Sequence, residues 1–338
     1  MRIGLDVMGT DRGPAEIVAG GLAALKKHRD VELLLVGDQI VIQSALEHHR
    51  VPSSLCSRIE ILHAPQVVEM RDKIDVLRTK PDSSLIRAVE ALAAGRIEAL
   101  VEVGNTAATV AVCKIRLGNL DGVPRAGIAV PLPTMRGPCT IIDAGANTKP
   151  QPRHLAVYGL MAARYAEQVL GRTDPKVGLL NVGGEHGKGN DFLRRTYELL
   201  EKMPIDFAGN MEGNDIFRGR YAVVVCDGFV GNAVLKSAEG LAAMFLQLLR
   251  EELGKGPFVK FGAALCYRAF KNVRERTDYA TYGGAPLLGV KGTVIIGHGR
   301  SDAVAISNAI RVARDCLVSR LNEVIVEGLR DLAPAPAG

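Results

Sequence analysis

Residues 223–236 read VVVCDGFVGNAVLK, and this stretch decides the fold class. Its three consecutive valines are typical of a buried strand, and the apolar run stops at Asp227. Gly228, Gly231 and Asn232 follow, and an apolar pattern with helical spacing begins there. A buried strand that leads through glycines into a helix is the repeating unit of a sheet covered by helices, so the stretch predicts an α/β fold.

The same unit recurs along the chain on both sides of this stretch. Further short apolar runs lie at residues 2–6, 31–38, 58–64, 98–105, 126–132, 139–147, 176–184 and 292–299. Helix-like stretches lie between many of them, at residues 15–28, 82–95, 153–171 and 190–203. This alternation predicts a three-layer α/β/α sandwich with a mostly parallel sheet. Because no linker interrupts it, we expect a single α/β domain at residues 1–331, followed by a disordered tail at 332–338.

The composition bounds the kind of core and the kind of partner. The chain has 338 residues, of which 47% are hydrophobic and 4% aromatic, so aliphatic side chains must form the core of the sheet. A net charge of +5 permits an acidic partner, but no basic motif interleaved with aromatic residues predicts a nucleic-acid partner. None of the six Cys residues pairs at CxxC spacing, so we expect no metal and small buried thiols in a reducing cytosol.

Two further features concern the cellular location. Asp6 interrupts the N-terminal segment where a signal peptide needs its apolar core. No run of about eighteen apolar residues occurs, so we expect no membrane-spanning helix. The sequence thus predicts a cytoplasmic protein that contacts a membrane, if at all, from outside.

Polar side chains follow many of the predicted strands. In open α/β sheets ligands bind beyond the carboxyl ends of the strands, so we expect these residues to share one sheet edge and face a ligand. The residues are Asn105, Asn147, Asn181, Asn210, Asn232, Asp143, Asp227, Lys188 and His298. Lys188 belongs to the glycine-rich stretch GGEHGKGN at 183–190, which opens a helix as anion-binding loops do. For each Asn and Asp a turn or a helix N-cap remains the alternative, as does a solvated lysine for Lys188 and a structural histidine for His298.

Several familiar catalytic motifs are absent from the sequence. GGEHGKGN lacks the count and the Ser or Thr of a Walker A loop, and no GxGxxG follows a strand. GHGRSDA at 297–303 lacks the second glycine of a nucleophile elbow, and no HExxH spacing occurs. What remains is an anion site built from amides, backbone and one lysine, with no cofactor.

Seven segments carry a resemblance to a known family. They are LDVMGTD (5–11), VGNTAA (103–108), DAGAN (143–147), LLNVGGEHGKGN (179–190), GNMEGNDIFRG (209–219), CDGFVGNAVLKSAEG (226–240) and GGAPLLGVKGTVIIGHG (283–299). In this order the chain resembles the bacterial phosphate acyltransferase family from about residue 1 to 320. The resemblance implies a fold like that of isocitrate and isopropylmalate dehydrogenases, which phosphate acetyltransferases share.

The resemblance also implies a reaction and partners. Inorganic phosphate attacks the thioester of acyl-acyl carrier protein, and acyl phosphate and free carrier protein result, without a covalent enzyme intermediate. A membrane glycerol-3-phosphate acyltransferase then uses the acyl phosphate to make lysophosphatidic acid for phospholipid synthesis. A homodimer with peripheral membrane contact is implied as well.

Positioning is the main task in such a reaction, because phosphate near pH 7 is already partly dianionic and a thiol is a good leaving group. We expect Lys188 and the backbone of residues 183–189 to bind phosphate, and Asn181, Asn232 and Asn105 to donate to phosphate or to the tetrahedral oxyanion. We expect Asp227 and Asp143 to orient those donors or the loops, and His298 to assist the leaving thiol. The wider set that we expect to contact phosphate or thioester is Asn105, Thr106, Asp143, Asn147, Asn181, Gly183, Glu185, Gly189, Asn210, Gly228 and Gly231.

The sequence departs from the usual family pattern at several predicted strand ends. Thr10 stands where Gly is usual, Glu102 where Ser is usual, and Ala107 where Gly is usual. Gly184 replaces a common Glu, and Arg300 replaces a common Ser. We expect these changes to affect the acyl-chain preference rather than the fold.

Residues 235–282 interrupt the alternation of strands and helices. Apolar residues from Leu241 to Leu249 lie on one helical face, and a second apolar stretch follows the turn at 254–257, which predicts a helical hairpin. A dimer interface or core helix pair is one interpretation, and a surface for anionic lipid or the acyl chain is the other. For membrane or acyl contact we expect Leu241, Phe245, Leu249, Phe258 and Phe261, and for the acidic carrier protein Arg268, Lys271 and Arg274.

Two other functions remain open from the sequence. One is an enzyme of the same fold with another substrate, either a phosphate acetyltransferase that uses coenzyme A or a metal-dependent dehydrogenase. The other is a non-catalytic relative that binds lipid or carrier protein without turnover.

Overall fold

The computed structural model describes residues 1–277 and 282–330. Of residues 274–277 it describes the backbone alone. The strands are β1 (Arg2–Asp6), β2 (Glu32–Gly37), β3 (Ile59–His63), β4 (Ala99–Glu102), β5 (Gly127–Leu132), β6 (Cys139–Ile142), β7 (Val177–Leu180), β8 (Phe207–Met211), β9 (Val223–Val225), β10 (Ala285–Leu288) and β11 (Thr293–Ile296). The tail predicted at 332–338 lies outside the described residues.

The helices fall between these strands as the alternation predicts. They are α1 (Pro14–Lys27), α2 (Gln39–His48), α3 (Ser53–Cys56), α4 (Val76–Thr79), α5 (Ser84–Ala93), α6 (Thr106–Arg116), α7 (Pro152–Gln168), α8 (Asp191–Leu200), α9 (Gly228–Leu253), α10 (Gly256–Leu265), α11 (Tyr267–Thr277), α12 (Ala303–Val318) and α13 (Leu321–Arg330). A 3-10 helix spans Gly213–Arg218.

The strands form one sheet in the order β3-β2-β1-β4-β11-β10-β5-β6-β9-β7-β8. β3, β2, β1, β4 and β11 are mutually parallel, and so are β6, β9, β7 and β8. The prediction of a mostly parallel α/β sheet is therefore confirmed. Between the two parallel groups, β10 is antiparallel to both β11 and β5, and β5 is antiparallel to β6.

Three antiparallel pairings in succession reverse the second parallel group relative to the first. The carboxyl ends of β1, β4 and β11 therefore point to one edge of the sheet, and those of β6, β9, β7 and β8 to the opposite edge. The prediction that all the polar residues after strands share one edge is wrong for this reason.

The core occupies both faces of the sheet, as a three-layer sandwich requires. Along β2, Leu33 and Leu35 join the apolar cluster beneath α1, α7 and α12, whereas Leu34 and Val36 join the cluster beneath α5 and α6. Four of the Cys residues are buried, but Cys56 and Cys266 are exposed, contrary to the expectation of buried thiols throughout.

The segment that interrupts the alternation differs in detail from the predicted hairpin. A single helix, α9, begins at Gly228 and continues to Leu253, so the excursion starts before residue 235. The predicted turn at 254–257 is present, but two helices follow it, because α10 ends at Leu265 and α11 begins at Tyr267. Here α9 from Leu241 onward, α10 and α11 are called the arm.

The arm leaves its apolar side chains exposed in this chain. Phe258 is 91% exposed, and no residue of α10 is buried. The other exposed apolar side chains of the arm are Leu241, Met244, Phe245, Leu248, Val259, Phe261, Leu265, Tyr267 and Val273, whereas Leu249 is half-buried. The interpretation as a core helix pair is therefore wrong, and a surface for another partner remains.

One helix among the described residues, α9, is long enough and apolar enough to cross a membrane by length and composition alone. The expectation that nothing spans a membrane is not tested by this finding and stays a prediction. The first turn of α9 packs against the sheet, and Val234 and Leu235 pack partly buried against the core.

Candidate active site

The loop that follows β6 is organised around the buried carboxylate of Asp143. Its Oδ1 accepts from the backbone N–H groups of Ile128 (3.1 Å), Gly145 (3.1 Å) and Ala146 (2.9 Å), and its Oδ2 accepts from that of Asn147 (2.6 Å). Burial raises the pKa of Asp143, and these hydrogen bonds act in the opposite direction. The carboxylate is thus fully engaged in shaping the loop.

Asn147 ties this loop to its surroundings. Its Nδ2 donates to the carbonyl oxygen of Ala126 (2.7 Å) and to Tyr158 Oη (2.9 Å), and Arg125 Nη1 donates to its Oδ1 (3.4 Å). Its own carbonyl oxygen accepts from the N–H of Gly228 (2.8 Å) at the start of α9. Asn147 therefore joins the loop to α9 and has no amide atom left for a ligand.

Asp227 lies two residues after β9 and caps the helix α9. Its Oδ1 accepts from the N–H groups of Phe229 (2.9 Å) and Val230 (3.0 Å). This is the N-cap arrangement, which satisfies N–H groups that have no partner within the helix. An acid stands after the three valines because a helix starts there.

The two glycines after Asp227 allow α9 to approach the Asp143 loop. A Cβ on Gly228 would lie 2.7 Å from the carbonyl oxygen of Asn147. A Cβ on Gly231 would lie 2.0 Å from the carbonyl oxygen of Asp143. Any larger residue at either position would push the helix away from the loop.

Asn232 is the amide that remains available at this contact. It is exposed on the second turn of α9, beside Gly145, where a Cβ would lie 3.8 Å from Asn232 Cβ. Among the described residues its carboxamide makes no hydrogen bond. It is therefore free to donate to a ligand above the Asp143 loop.

The glycine-rich loop after β7 is shaped by two other amides. Asn181 Nδ2 donates to the carbonyl oxygen of Lys188 (3.1 Å) and to Asn210 Oδ1 (3.1 Å), and its Oδ1 accepts from the N–H of Val182 (2.8 Å). Asn210 lies within β8 and not after a strand as predicted, and its Nδ2 donates to the carbonyl oxygen of Glu185 (2.9 Å). Asn181 and Asn210 thus hold the loop and do not point free amides at a ligand.

Lys188 is exposed on this loop with its ammonium unpaired within the described residues. Its side-chain methylenes pack beside Gly183, where a Cβ would lie 3.4 Å from Lys188 Cγ and 2.8 Å from Glu185 Oε2. Gly189 has φ +87° and a Cβ there would lie 2.7 Å from Asn181 Oδ1, so glycine is needed at this position. The loop presents one unpaired cation near the start of α8, a suitable arrangement for an anion.

These loops form one group, residues 143–150, 181–190 and 227–232, which we call the lysine edge. A cavity of about 340 Å³ opens within it. It is lined by Thr148, Lys149, Pro150, Phe192, Asp227 and Phe229. The sequence analysis singled out only Asp227 of these six residues. The signal that could have indicated the others is Lys149, a cation just beyond the DAGAN segment and before a helix that starts with proline.

Asn105 lies at the opposite edge and has a structural role there. Its Oδ1 caps α6 by accepting from Ala108 N–H (3.0 Å), and its Nδ2 donates to the carbonyl oxygens of Glu69 (3.2 Å), Met70 (3.3 Å) and Asp72 (2.9 Å). The strand before it, β4, is six strand spacings from β7, about 29 Å at the usual 4.8 Å spacing. Asn105 and its neighbour Thr106 therefore do not join the lysine edge.

His298 follows β11 at the same edge as Asn105. It is half-buried, and its Nδ1 accepts from the N–H of Arg300 (3.2 Å). Burial lowers the pKa of His298, and the positive charge of Lys236 lowers it further, against an opposing effect of Glu239. Because Lys236 lies on α9 four residues after Asn232, this helix connects His298 with the lysine edge.

Comparison with known proteins identifies what kind of enzyme carries this site. The family model described as "Fatty acid synthesis protein" matches residues 1–323. A phosphate acyltransferase from Desulfitobacterium hafniense is 45% identical over 97% of this chain and 98% of its own length. The chain belongs to the phosphate acyltransferase family. It is an acyltransferase, and its family acts in fatty acid and phospholipid synthesis.

Solved structures confirm the fold that the resemblance implied. A phosphotransacetylase from Streptococcus pyogenes has a TM-score of 0.65 at 16% identity, over 94% of each chain. A 4-hydroxythreonine-4-phosphate dehydrogenase from Klebsiella pneumoniae has a TM-score of 0.52 at 12% identity, over 93% of this chain and 98% of that one. At these identities the likeness shows the fold alone, which phosphotransacetylases share with dehydrogenases.

One departure from the family pattern, Glu102, forms a buried pair with Asp6. The two carboxyl groups are both buried and interact electrostatically. Glu102 Oε1 accepts from Gly104 N–H (2.7 Å) and Asp6 Oδ1 accepts from Met8 N–H (2.9 Å), whereas Glu102 Oε2 has no hydrogen-bond partner among the described residues. Burial raises the pKa of Asp6 to about 6, and burial together with the charge of Asp6 raises the pKa of Glu102 well above its usual value. Because two negative charges disfavour each other in the interior, the raised pKa of Glu102 favours its protonated form.

Proposed function

We propose that this enzyme transfers a fatty acyl group from acyl-acyl carrier protein to inorganic phosphate. The acyl phosphate formed would then supply a membrane glycerol-3-phosphate acyltransferase in lysophosphatidic acid synthesis. The observation that carries the proposal is the unpaired Lys188 on a glycine-rich loop at the same sheet edge as the uncommitted amide of Asn232. A cation for phosphate and a donor for an oxyanion are the two groups that this transfer needs.

Phosphate binds at Lys188 and the backbone N–H groups of the loop at 183–189. One phosphate oxygen attacks the thioester carbonyl carbon, and the carbonyl oxygen becomes an oxyanion that accepts from the Asn232 amide. The C–S bond then breaks, the thiolate leaves, and the acyl group remains on phosphate. Holding the two reactants together supplies about 7–11 kcal/mol, and one oxyanion donor about 2.7–4 kcal/mol.

Direct attack by phosphate is supported by the state of the nearest thiol. Cys226 is buried, and its Sγ donates to the carbonyl oxygen of Asp143 at 3.8 Å. Burial raises the pKa of Cys226 well above its usual value, with further contributions from Asp227 and Asp143. A thiol in this state is a poor nucleophile, so a covalent acyl-cysteine is disfavoured.

His298 is our candidate for assisting the leaving thiolate. Its Nδ1 accepts from Arg300 N–H and its pKa is lowered, so the neutral ring carries its proton on Nε2, which can donate a hydrogen bond to the thiolate. Asn232 and Lys236 lie on one face of α9, and the charge of Lys236 acts on His298. The role therefore requires that the thiol leave along this face of α9 toward His298.

The exposed arm supports a homodimer and peripheral contact with a membrane. Leu241, Phe245 and Phe261 are apolar and exposed, and water-exposed apolar surface of this kind marks an interaction site. We propose a cytoplasmic enzyme whose arm contacts the membrane peripherally. The first turn of α9 would stay packed on the Asp143 loop, so only the exposed arm would meet the membrane. Sedimentation of the Phe245→Gln and Phe261→Gln variants tests dimer formation, and vesicle flotation of the same variants tests membrane binding. If the variants keep both dimer formation and membrane binding, both proposals are contradicted.

The carrier protein would meet the basic side chains of α11. Arg268 and Lys271 are exposed there, whereas the side chain of Arg274 lies outside the described residues. Both positions are close to the arm's apolar surface, so carrier and membrane would approach the same end of the molecule.

The reaction itself is tested by incubating the enzyme with palmitoyl-acyl carrier protein, with and without inorganic phosphate. Free carrier thiol and hydroxylamine-trapped acyl phosphate should appear in equal amounts, and only with phosphate. Thiol release without phosphate would indicate a thioesterase. Activity restricted to acetyl-coenzyme A would favour an acetyltransferase, and carrier binding without turnover would favour a scaffold protein.

A further inference from the structure

The cavity at the lysine edge has the walls expected for an elongated organic ligand. Phe192 from α8 and Phe229 from the first turn of α9 line it together with Pro150. Phe229 is 69% exposed, which is costly for an aromatic side chain without a ligand. At about 340 Å³ the cavity falls within the range of about 300–1,000 Å³ that is usual for small-molecule sites.

The rim of the cavity is positively charged. Lys149 lines it and forms no ion pair within the described residues. Arg125 reaches the same loop, because its Nη1 donates to Asn147 Oδ1 (3.4 Å) beside Thr148 of the lining. The carboxylate of Asp227 also lines the cavity, but it is engaged in capping α9. The rim therefore favours a ligand with an anionic end.

We propose that this cavity binds the 4′-phosphopantetheine arm of the acyl donor, with the phosphate at Lys149 and the amide chain between Phe192 and Phe229. The inference rests on the proposed function, since it assumes that donor. Phe229 precedes Asn232 by three residues on the same helix, so an arm along Phe229 would bring its terminal thioester to the Asn232 amide.

Free inorganic phosphate is the other source of an anion for Lys149. The structure offers Lys188 on a separate loop for that substrate, so the two lysines would serve two different phosphate groups. Variants of each lysine distinguish the sources, because only one of the two Michaelis constants should respond to each substitution.

The test uses two unreactive thioethers, S-hexadecyl-phosphopantetheine and S-hexadecyl-pantetheine, as inhibitors of the reaction with palmitoyl-acyl carrier protein. With the natural enzyme, the phosphorylated compound should inhibit at about tenfold lower concentration, the value of one charged hydrogen bond. Lys149→Gln should abolish this difference and leave the KM for inorganic phosphate unchanged. Lys202 is an exposed lysine two residues after α8, so Lys202→Gln is the matched control and should preserve the difference.

A second variant tests the walls of the cavity. Phe229→Ala should weaken both inhibitors by a similar factor, since it removes contact with the chain and not with the phosphate. An unchanged preference in Lys149→Gln would overturn the proposal, as would a higher KM for inorganic phosphate in that variant or the failure of both compounds to inhibit. Phosphate-dependent turnover of the natural enzyme is measured in the same assay, so failure of the inference is distinct from failure of the proposed function.

Discussion

Gly231 lies against the main chain of Asp143 so closely that a Cβ on the glycine would be 2.0 Å from the Asp143 carbonyl oxygen. This contact sets the distance between α9 and the loop on which the candidate site depends. Asn232 follows directly in the chain, so the glycine determines where that amide lies.

Gly231→Ala should displace α9 and abolish acyl transfer, with a loss of stability of about 1–3 kcal/mol or more from overpacking. Gly240→Ala is the control on the same helix, because a Cβ there meets nothing within 4 Å. It should stabilise the protein by up to about 1 kcal/mol, the difference in helix propensity. Urea unfolding and activity are measured together, and an active, fully stable Gly231→Ala enzyme would contradict the contact.

Lys188→Ala should raise the KM for inorganic phosphate by about tenfold or more, because a charged hydrogen bond to the substrate is lost. The KM for acyl-acyl carrier protein should stay within about a factor of two. Lys202→Ala serves as the control for loss of one positive charge. Steady-state kinetics at varied phosphate concentration measure this KM. An unchanged KM for inorganic phosphate would show that Lys188 does not bind the substrate phosphate.

Asn232 and Asn105 should respond differently to alanine. Asn232→Ala should lower kcat by about 10²–10³, the usual effect of losing one oxyanion donor, with little loss of stability. Asn105→Ala removes a helix cap and a clamp on three carbonyl groups, so it should cost about 1 kcal/mol or more of stability and keep kcat. If Asn105→Ala instead lowers kcat and Asn232→Ala lowers only the stability, the active site lies at the Asn105 edge and not at the lysine edge. Steady-state kinetics and thermal unfolding measure the two effects.

The acid pair predicts a pH dependence of stability. The folded-state pKa of Asp6 is about 6 against a usual 3.8, so the folded protein binds more protons than the unfolded chain between these values. The pair's contribution is thus complete below about pH 4 and declines as the pH rises through about 6. Glu102→Gln removes the neighbouring negative charge, and its stability relative to the natural protein should increase from about pH 4 to 7. Parallel stability curves of the variant and the natural protein in urea unfolding would show that the two acids are not coupled.

Local patterns in the sequence predicted most of the strands, but they missed β8 and β10 and did not predict that β6, β9, β7 and β8 run opposite to the first parallel group. Each strand and the helix after it are encoded by neighbouring residues, such as VVVCDGFVGNAVLK. The reversal is produced by β10, β5 and β6, whose pairings join distant segments, and β10 is only four residues long and contains Pro286. Because the sequence does not show this reversal, it predicts Asn105 beside Asn181. In the structure Asn105 lies at the opposite edge.

The site could be predicted only in part for a related reason. Asn after a strand is chemically the same whether it caps a helix, holds a loop or faces a ligand, and only hydrogen-bond partners separate Asn232 from Asn147 and Asn210. Lys188 could be predicted as an anion-binding residue because the glycines around it are its direct neighbours in the sequence. The cavity residues Lys149, Phe192 and Phe229 come from three segments, and folding alone brings them together.

The central claim is that the acyl group passes directly from the thioester to phosphate at the lysine edge. Initial rates measured with both acyl-acyl carrier protein and inorganic phosphate varied test it most directly. Direct transfer requires both substrates on the enzyme together, so the double-reciprocal lines should intersect. Parallel lines would indicate a covalent acyl-enzyme that forms before phosphate binds, and would contradict the claim.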